Sequence, residues 1–279
     1  MKTVFFIAIF TLSVFALKPW NNPPTGELPE GVTHHTYRSA LYDVDVGYCI
    51  YLPPSYEKST KKYPVLYFNG GTTNIETTQP DKWAQRMHPW LNNNDFCEMI
   101  IVYPNPRGVS RYCGETEQSY IKELVPLVDS LYRTWGSKQK RAISGMSMGG
   151  FGALKFAFQY RQLFGSCLTY AAAVTRLYDD NTTIFDYTRT HADSIKAAGI
   201  PLRMVIGDKD HLYEPNLEYF ALLDSIGIGY EKKILPGVDH VIEIMVRDEG
   251  IYNFSWHCKH FSSQHFNSFS CREHFWTIW

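Results

Sequence analysis

Short apolar runs alternate with amphipathic segments along most of this chain, and this alternation restricts its fold more than any other feature. The runs at residues 64–68 and 98–103 are bounded by turn residues, as is typical of strands buried on both faces of a sheet. Apolar residues at helical spacing follow in residues 117–135, where Pro126 is expected to kink the helix or to mark its true start. Repeated strand–helix units predict an α/β fold, with a mostly parallel central sheet covered by helices on both faces.

The same patterns give a full set of predicted elements. Strands are predicted at residues 32–39, 44–52, 64–68, 98–103, 140–144, 164–170, 202–206 and 230–235. Helices are predicted at residues 81–91, 117–135, 151–160, 193–198, 216–226 and 244–254. Residues 17–31, rich in proline, asparagine and glycine, are expected to form an extended N-terminal arm. We therefore expect one domain over residues 32–254, followed by an atypical tail at 255–279 that is rich in aromatic residues and histidine.

The first 16 residues have the composition of a secretory signal peptide. Lys2 supplies the positive start, residues 4–14 are almost wholly apolar, and Ala16 provides a small residue at the expected cleavage point. The apolar run is too short to span a bilayer comfortably, and no later segment is long enough. We expect a secreted, extracellular protein with no stable membrane insertion.

Secretion permits disulfides and N-linked glycans. The six cysteines are Cys49, Cys97, Cys113, Cys167, Cys258 and Cys271. Cys258 with Cys271 is one candidate pair and Cys97 with Cys113 is a second, whereas Cys167 lies in a predicted core strand and is expected to be a buried free thiol. Asn-x-Ser/Thr sequons make Asn181 and Asn253 candidate glycosylation sites. The formal net charge of −1 gives no electrostatic footprint for nucleic acid.

The motif Gly-Met-Ser-Met-Gly places Ser147 between Gly145 and Gly149, after a predicted strand and before a predicted helix. In that context the motif indicates a nucleophile elbow, a sharp turn that presents a serine hydroxyl above the sheet. A structural alternative is a glycine-rich helix start with a solvated serine. A nucleophilic serine needs a base, and the base needs an orienting carboxylate.

Candidates for the base and the acid follow the last two predicted strands, where loops leave the carboxyl edge of a parallel sheet. His240 is the predicted general base, and it is favoured over His211, which adjoins the candidate acids. Asp208 and Asp210 compete for the orienting role, and the other aspartate is expected to cap a turn or the next helix.

An oxyanion hole needs two N–H donors near the nucleophile. Met148 follows the serine and is predicted to give one backbone N–H, while Gly71 in the loop after residues 64–68 is the preferred second donor. A simple Gly-Gly turn is the alternative for that loop. No cofactor and no metal site are predicted, although His257, Cys258 and His260 in the tail form a conceivable metal-binding set.

Taken together, these segments resemble the putative esterase (esterase D-like) family of α/β hydrolases, which includes the feruloyl and acetyl xylan esterases of carbohydrate esterase family 1. The resemblance lies in residues 51–56, 63–67 with Gly70-Gly71, 101–104, 145–154, 207–210 and 236–240. It implies the α/β-hydrolase fold, and it places the acid at the second aspartate of the Gly-x-x-Asp segment, which favours Asp210. The chain departs from the family in having Asn69 where a histidine commonly precedes the oxyanion loop.

The resulting hypothesis is a secreted serine esterase that uses Ser147, His240 and Asp210 through an acyl-enzyme intermediate. The resemblance and the predicted secretion point to feruloyl or acetyl esters on plant polysaccharide as substrate. Two alternatives are an acyltransferase with the same triad and a non-catalytic secreted binding protein on a hydrolase scaffold. The sequence does not predict an oligomeric state.

Overall fold

The described part of the chain builds one eight-stranded sheet. The computed structural model describes residues 18–78, 80, 97–108 and 110–261. The strands are β1 (Val32–Arg38), β2 (Asp45–Tyr51), β3 (Val65–Asn69), β4 (Ile100–Pro104), β5 (Arg141–Met146), β6 (Ser166–Tyr170), β7 (Leu202–Gly207) and β8 (Glu231–Leu235). Their spatial order is β1-β2-β4-β3-β5-β6-β7-β8. The pairs β1–β2 and β2–β4 are antiparallel and every other neighbouring pair is parallel.

Helical segments connect the parallel strands. They are α1 (Gly114–Ser119), a π-helical turn (Tyr120–Leu124), α2 (Val125–Leu131), a 3₁₀ turn (Lys138–Lys140), α3 (Met148–Gln159), α4 (Ile184–Thr190), α5 (Ala192–Ala198), α6 (Tyr213–Ile226) and α7 (Ile242–His260). This arrangement confirms the predicted α/β class with a mostly parallel sheet.

Burial follows the apolar patterns in the sequence. Every residue of β3, β4 and β7 is buried, because these central parallel strands are covered on both faces. Helix α3 is buried from Met148 to Phe158, and its small residues allow it to pack very close to the sheet. A Cβ on Gly150 would lie 2.9 Å from the Cα of Ala172, so no larger residue fits there without a shift.

Pro126 produces a local change of helix type. It lies in the first turn of α2, directly after the π-helical turn Tyr120–Leu124. Proline has no N–H to donate within a helix, so the hydrogen-bond ladder is interrupted at this point. The helix ends at Leu131, before the predicted limit at residue 135, because Tyr132 is extended with φ −117° and ψ 156°.

Three other helices differ from the prediction or cannot be compared with it. Helix α4 was not predicted, although Thr183 caps it by accepting a hydrogen bond of 3.0 Å from the Asp186 N–H. Helix α7 continues to His260, beyond the expected domain boundary at residue 254. The helix predicted at residues 81–91 lies outside the described residues.

The predicted disulfide pairs are wrong. Cys97 is bonded to Cys258, across 161 residues of sequence. The bond joins the segment that enters β4 to helix α7, two parts of the chain that only the tertiary fold brings together. Cys167 is a buried free thiol, as predicted. Cys271 lies outside the described residues.

The N-terminal arm is hydrogen-bonded near its start to strand β2. The Trp20 carbonyl accepts a hydrogen bond of 2.8 Å from the Gly47 N–H, and the Arg107 guanidinium lies 3.8 Å from the centre of the Trp20 ring. The Asn22 backbone N–H donates to the buried Glu76 carboxyl at 2.6 Å, and burial raises the pKa of that carboxyl. Within the described ranges, none of the helices combines the length and the apolar character that crossing a bilayer would require.

Candidate active site

Ser147 occupies a strained turn between β5 and α3. Its backbone has φ 56° and ψ −119°, a conformation that a residue with a side chain rarely adopts. Hydrogen bonds at its own N–H and carbonyl hold the turn, because the N–H donates to the Tyr170 carbonyl at 2.9 Å and the carbonyl accepts from the Ala173 N–H at 2.9 Å. The predicted strand–turn–helix context of the serine is therefore present.

Two glycines make this turn possible. A Cβ on Gly145 would lie 2.2 Å from the Gly149 carbonyl oxygen, and a Cβ on Gly149 would lie 2.1 Å from the Asn69 carbonyl oxygen. Both contacts are with backbone atoms, which cannot move aside as the end of a flexible side chain can. Close packing of the turn against the loop after β3 thus requires glycine at both positions.

Asp210 and His240 lie together at the carboxyl edge of the sheet. Asp210 follows β7 and His240 follows β8, and the His240 Nδ1–H donates to Asp210 Oδ2 at 2.7 Å. The Asp210 side chain is fully buried, and its other oxygen accepts a hydrogen bond of 2.8 Å from the Leu212 N–H. This carboxylate therefore holds the imidazole with Nε2 as its available acceptor.

Asp208, the competing acid, has a different partner. Its Oδ1 accepts a hydrogen bond of 2.7 Å from the Gly237 N–H, so it joins the β7 loop to the β8 loop. Asp208 thus fastens a turn, while Asp210 contacts His240.

Ser147 stands at the same edge of the sheet, three strands away from the strand that leads to His240. Within the described residues, no hydrogen bond joins the Ser147 hydroxyl to His240. Catalytic hydrogen bonds of this kind often shorten only when substrate binds. The structure thus brings Asp210 and His240 into contact and places Ser147 on the same edge of the sheet.

The loop after β3 lies beside the serine. A Cβ on Gly71 would be 3.7 Å from the Ser147 Cβ, which places this backbone next to the nucleophile candidate. The Gly71 N–H donates to Asn74 Oδ1 at 2.9 Å, so a side chain of the same loop already uses the predicted donor. Met148 is the first residue of α3, where backbone N–H groups lack partners within the helix.

Two buried tyrosines hold this loop from below, and the sequence analysis did not identify them. The Tyr112 hydroxyl donates to the Gly70 carbonyl at 3.0 Å, and the Tyr120 hydroxyl donates to Asn69 Oδ1 at 3.0 Å. Burial raises the pKa of both hydroxyls well above the ordinary value, so they remain protonated donors. Only the fold could reveal this role, because the two tyrosines are more than 40 residues from the loop.

His257 is buried in the core, where its ring is hydrogen-bonded to two serine hydroxyls. Its ring nitrogens lie 2.8 Å from the hydroxyls of Ser144 and Ser166, one on β5 and one on β6. Burial, with a smaller contribution from His260, lowers the pKa of His257 to about 3. Since Cys258 is in the disulfide, the conceivable metal-binding set of the tail lacks its thiolate.

The two sequons differ in exposure. Asn181 is exposed in a turn after β6, with φ 63°. Asn253 is buried, its Nδ2 donates to the Tyr170 hydroxyl at 3.0 Å, and its Oδ1 accepts from Arg203 Nε at 2.7 Å. The folded chain therefore does not present Asn253 to a glycosylating enzyme, whereas Asn181 stays a candidate.

Comparison with known proteins connects this geometry to a family. The model of the family described as Putative esterase matches residues 39–177, a span that contains Ser147 and ends before Asp210. An esterase of Mycobacterium tuberculosis is 31% identical over 151 residues, which are 50% of this chain and 31% of that protein. An endo-1,4-beta-xylanase/feruloyl esterase of Xylanibacter ruminicola is 28% identical over 130 residues, which are 42% of this chain and 18% of that protein.

The chain thus spans less than a third of the length of these relatives. A solved structure of a ferulic acid esterase superposes with a TM-score of 0.75 at 23% identity, covering 85% of this chain and all of the other. That likeness shows the α/β-hydrolase fold.

Proposed function

This chain belongs to the Putative esterase family of α/β hydrolases, and from that we propose that it is a secreted serine esterase with Ser147, His240 and Asp210 as its triad. The observation that carries the proposal is the hydrogen bond from His240 to the buried Asp210, at the sheet edge where the strained Ser147 stands. A nucleophile, an acid and a base in this chain order are what ester hydrolysis on this fold requires.

The acylation step follows from the positions of these groups. His240 Nε2 takes the proton of the Ser147 hydroxyl as the oxygen attacks the ester carbonyl carbon. The imidazolium that forms is stabilised by Asp210, which already accepts a hydrogen bond from Nδ1. His240 then returns the proton to the alcohol oxygen as the ester bond breaks, which leaves an acyl group on Ser147.

The negative oxygen of the tetrahedral intermediate needs donors beside Ser147. Met148 is proposed to give one N–H from the start of α3, where the helix dipole also favours negative charge. Gly71 is proposed to give the second, and its N–H would exchange Asn74 Oδ1 for the substrate oxygen.

In the second half of the reaction, water activated by His240 attacks the acyl group and releases the carboxylic acid, which restores the Ser147 hydroxyl.

The substrate proposed is an ester on a carbohydrate, with feruloyl or acetyl as the acyl group. Support comes from the names of similar proteins, a xylanase/feruloyl esterase and a ferulic acid esterase. Secretion is proposed from the signal-peptide composition of residues 1–16, and it would bring the enzyme to extracellular polysaccharide.

Replacement of the nucleophile tests the activity. Ser147→Ala should reduce the hydrolysis of an aryl acetate by roughly 10⁴- to 10⁶-fold in kcat, and Asp210→Asn by about 10⁴-fold. Asp208→Asn is the matched control, because Asp208 holds the Gly237 N–H instead of His240 and should keep most of the rate. Equal rates for wild type and Ser147→Ala would overturn the proposal.

A substrate panel tests the specificity. Methyl ferulate, acetylated xylan and short acyl esters are compared by kcat/KM, and methyl ferulate or acetylated xylan should be preferred. Product analysis with a competing sugar acceptor separates hydrolysis from acyl transfer, since a transferase would place the acyl group on the sugar. A preference for short acyl esters alone would refute the carbohydrate-ester assignment.

A further inference from the structure

His211 has no part in the proposed mechanism, yet it lies against the acid and the base. Its Nδ1 is 3.4 Å from Asp210 Oδ1, and its ring centre is 4.5 Å from that of His240. Asp210 therefore has a histidine nitrogen facing each carboxylate oxygen, His240 at Oδ2 and His211 at Oδ1.

These three side chains offer ligands that suit a zinc ion. Zinc in proteins takes histidine nitrogen at about 2.0–2.1 Å and carboxylate oxygen at about 2.0–2.2 Å in tetrahedral geometry, which puts ligand atoms about 3.3 Å apart. One ligand atom from each of Asp210, His211 and His240 lies within 4.8 Å of the others, and the 3.4 Å separation at His211 is close to the tetrahedral value. His240 Nδ1 and Asp210 Oδ2 are 2.7 Å apart, so this pair must separate by about 0.6 Å to reach the tetrahedral value.

Solvent can reach this cluster. The His211 side chain is 67% exposed and that of His240 is 24% exposed, while Asp210 is buried beneath them. A second group of possible ligands, formed by Cys113, Glu117 and Asp179, is less suitable. There the buried Lys155 ammonium forms an ion pair with Glu117, and its positive charge opposes the binding of a cation.

We propose that Zn²⁺ binds to Asp210, His211 and His240 and reversibly inhibits the enzyme, an inference about inhibition that rests on the proposed function. The ion takes the place of the Nδ1 proton between His240 and Asp210. In the neutral imidazole that proton passes to Nε2 through solvent, so no net proton is lost and no bond to carbon changes. His240 with Nε2 protonated cannot accept the Ser147 proton, and acylation stops.

Zinc binding is measured first, by calorimetric titration of the purified wild-type protein with ZnCl₂. His211→Gln should lose the site or bind at least about tenfold more weakly, the lower end of what disturbing a metal site costs. His191→Gln is the matched control, because His191 is stacked on Tyr187 and hydrogen-bonded to the Tyr187 carbonyl, and it should bind zinc as wild type does. Identical titrations of wild type and His211→Gln would overturn the proposal, including the case where zinc binds only elsewhere.

Inhibition is measured separately on an aryl acetate, relative to the zinc-free rate of each variant. Wild type and His191→Gln should be inhibited and recover on addition of EDTA, and His211→Gln should need at least about tenfold more zinc. Equal inhibition of wild type and His211→Gln would refute the site. If zinc-free wild type does not hydrolyse esters, the proposed function fails, and the calorimetry still decides the zinc site.

Discussion

At the scale of single residues, tyrosine hydroxyls outside the proposed triad hold the proposed oxyanion loop in place. Tyr112 fixes the Gly70 carbonyl, and the Tyr112 carbonyl in turn accepts a hydrogen bond of 3.1 Å from the buried Lys155 of α3. A Cβ on Gly152 of the same helix would lie 2.6 Å from the Tyr112 ring. Tyr112 therefore packs between the helix that carries the elbow and the loop that faces it.

Removal of the Tyr112 hydroxyl should loosen that loop. In Tyr112→Phe the buried Gly70 carbonyl loses its donor, at a cost of about 1–3 kcal/mol in unfolding free energy. We expect kcat to fall about tenfold with little change in KM, because a misplaced donor weakens the transition state more than ground-state binding. Steady-state kinetics on an aryl acetate measures both constants.

Tyr219→Phe is the control for this effect. Tyr219 is also buried, and its hydroxyl lies 2.8 Å from that of Thr188, which belongs to α4 and not to the oxyanion loop. This variant should lose similar stability and keep its kcat. An equal loss of kcat in both variants would show that Tyr112 acts only on stability.

Sequence patterns predicted the reactive side chains of the candidate site but not the residues that support them. Ser147, Asp210 and His240 could be predicted because each follows a recognisable strand, and the carboxyl ends of parallel strands share one edge. Asn74 and Tyr112 could not, because their contacts with the loop depend on side-chain directions that no periodicity encodes.

At the scale of elements, strand positions were predictable and covalent links were not. Continuous apolar runs identified β3 and β4 because buried parallel strands lack polar alternation. The partner of Cys97 is on a helix 161 residues later, and no local pattern indicates such a distance. The end of this helix was likewise missed, because α7 was predicted to stop at residue 254 but continues to His260 and carries His257, which contacts Ser144 of β5 and Ser166 of β6.

Loss of the disulfide should weaken the docking of α7. Cys258→Ser is expected to lower the unfolding free energy by about 2–4 kcal/mol, the usual range for a bond that closes a long loop. Urea unfolding in the absence of reductant measures this difference. Reductant should lower the unfolding free energy of wild type to that of Cys258→Ser and leave the variant unchanged. A wild type whose unfolding free energy does not respond to reductant would contradict the Cys97–Cys258 bond.

At the scale of the whole molecule, a neutral histidine in the core couples stability to pH. Burial lowers the pKa of His257 to about 3, against an unfolded value near 6.5, so between these values the unfolded chain binds a proton that the folded chain does not. The stabilisation that the folded protein gains from neutral His257 is complete above about pH 6.5 and is lost as the pH falls towards 3. Between pH 6.5 and pH 3, His257 should lower the unfolding free energy by about 1.4 kcal/mol for each unit that the pH falls.

His257→Gln tests this coupling. Glutamine can still hydrogen-bond to Ser144 and Ser166, yet it does not titrate. Urea unfolding is measured at several pH values from 6.5 to 4, and the unfolding free energy is plotted against pH. The slope for His257→Gln should be smaller than that for wild type by the equivalent of about one bound proton. Parallel slopes for the two proteins would exclude His257 as the source.

The disulfide also determines how the molecule responds to proteolysis. Cys97 and Cys258 enclose Ser147, Asp210 and His240 in one covalently closed stretch of chain. A single cut in an exposed turn of that stretch, such as the one around Asn181, leaves Ser147 and His240 on separate fragments that are still joined by the disulfide. On a denaturing gel the cleaved protein would therefore migrate as one band without reductant and as two bands with it. The two fragments could not diffuse apart while the disulfide is intact.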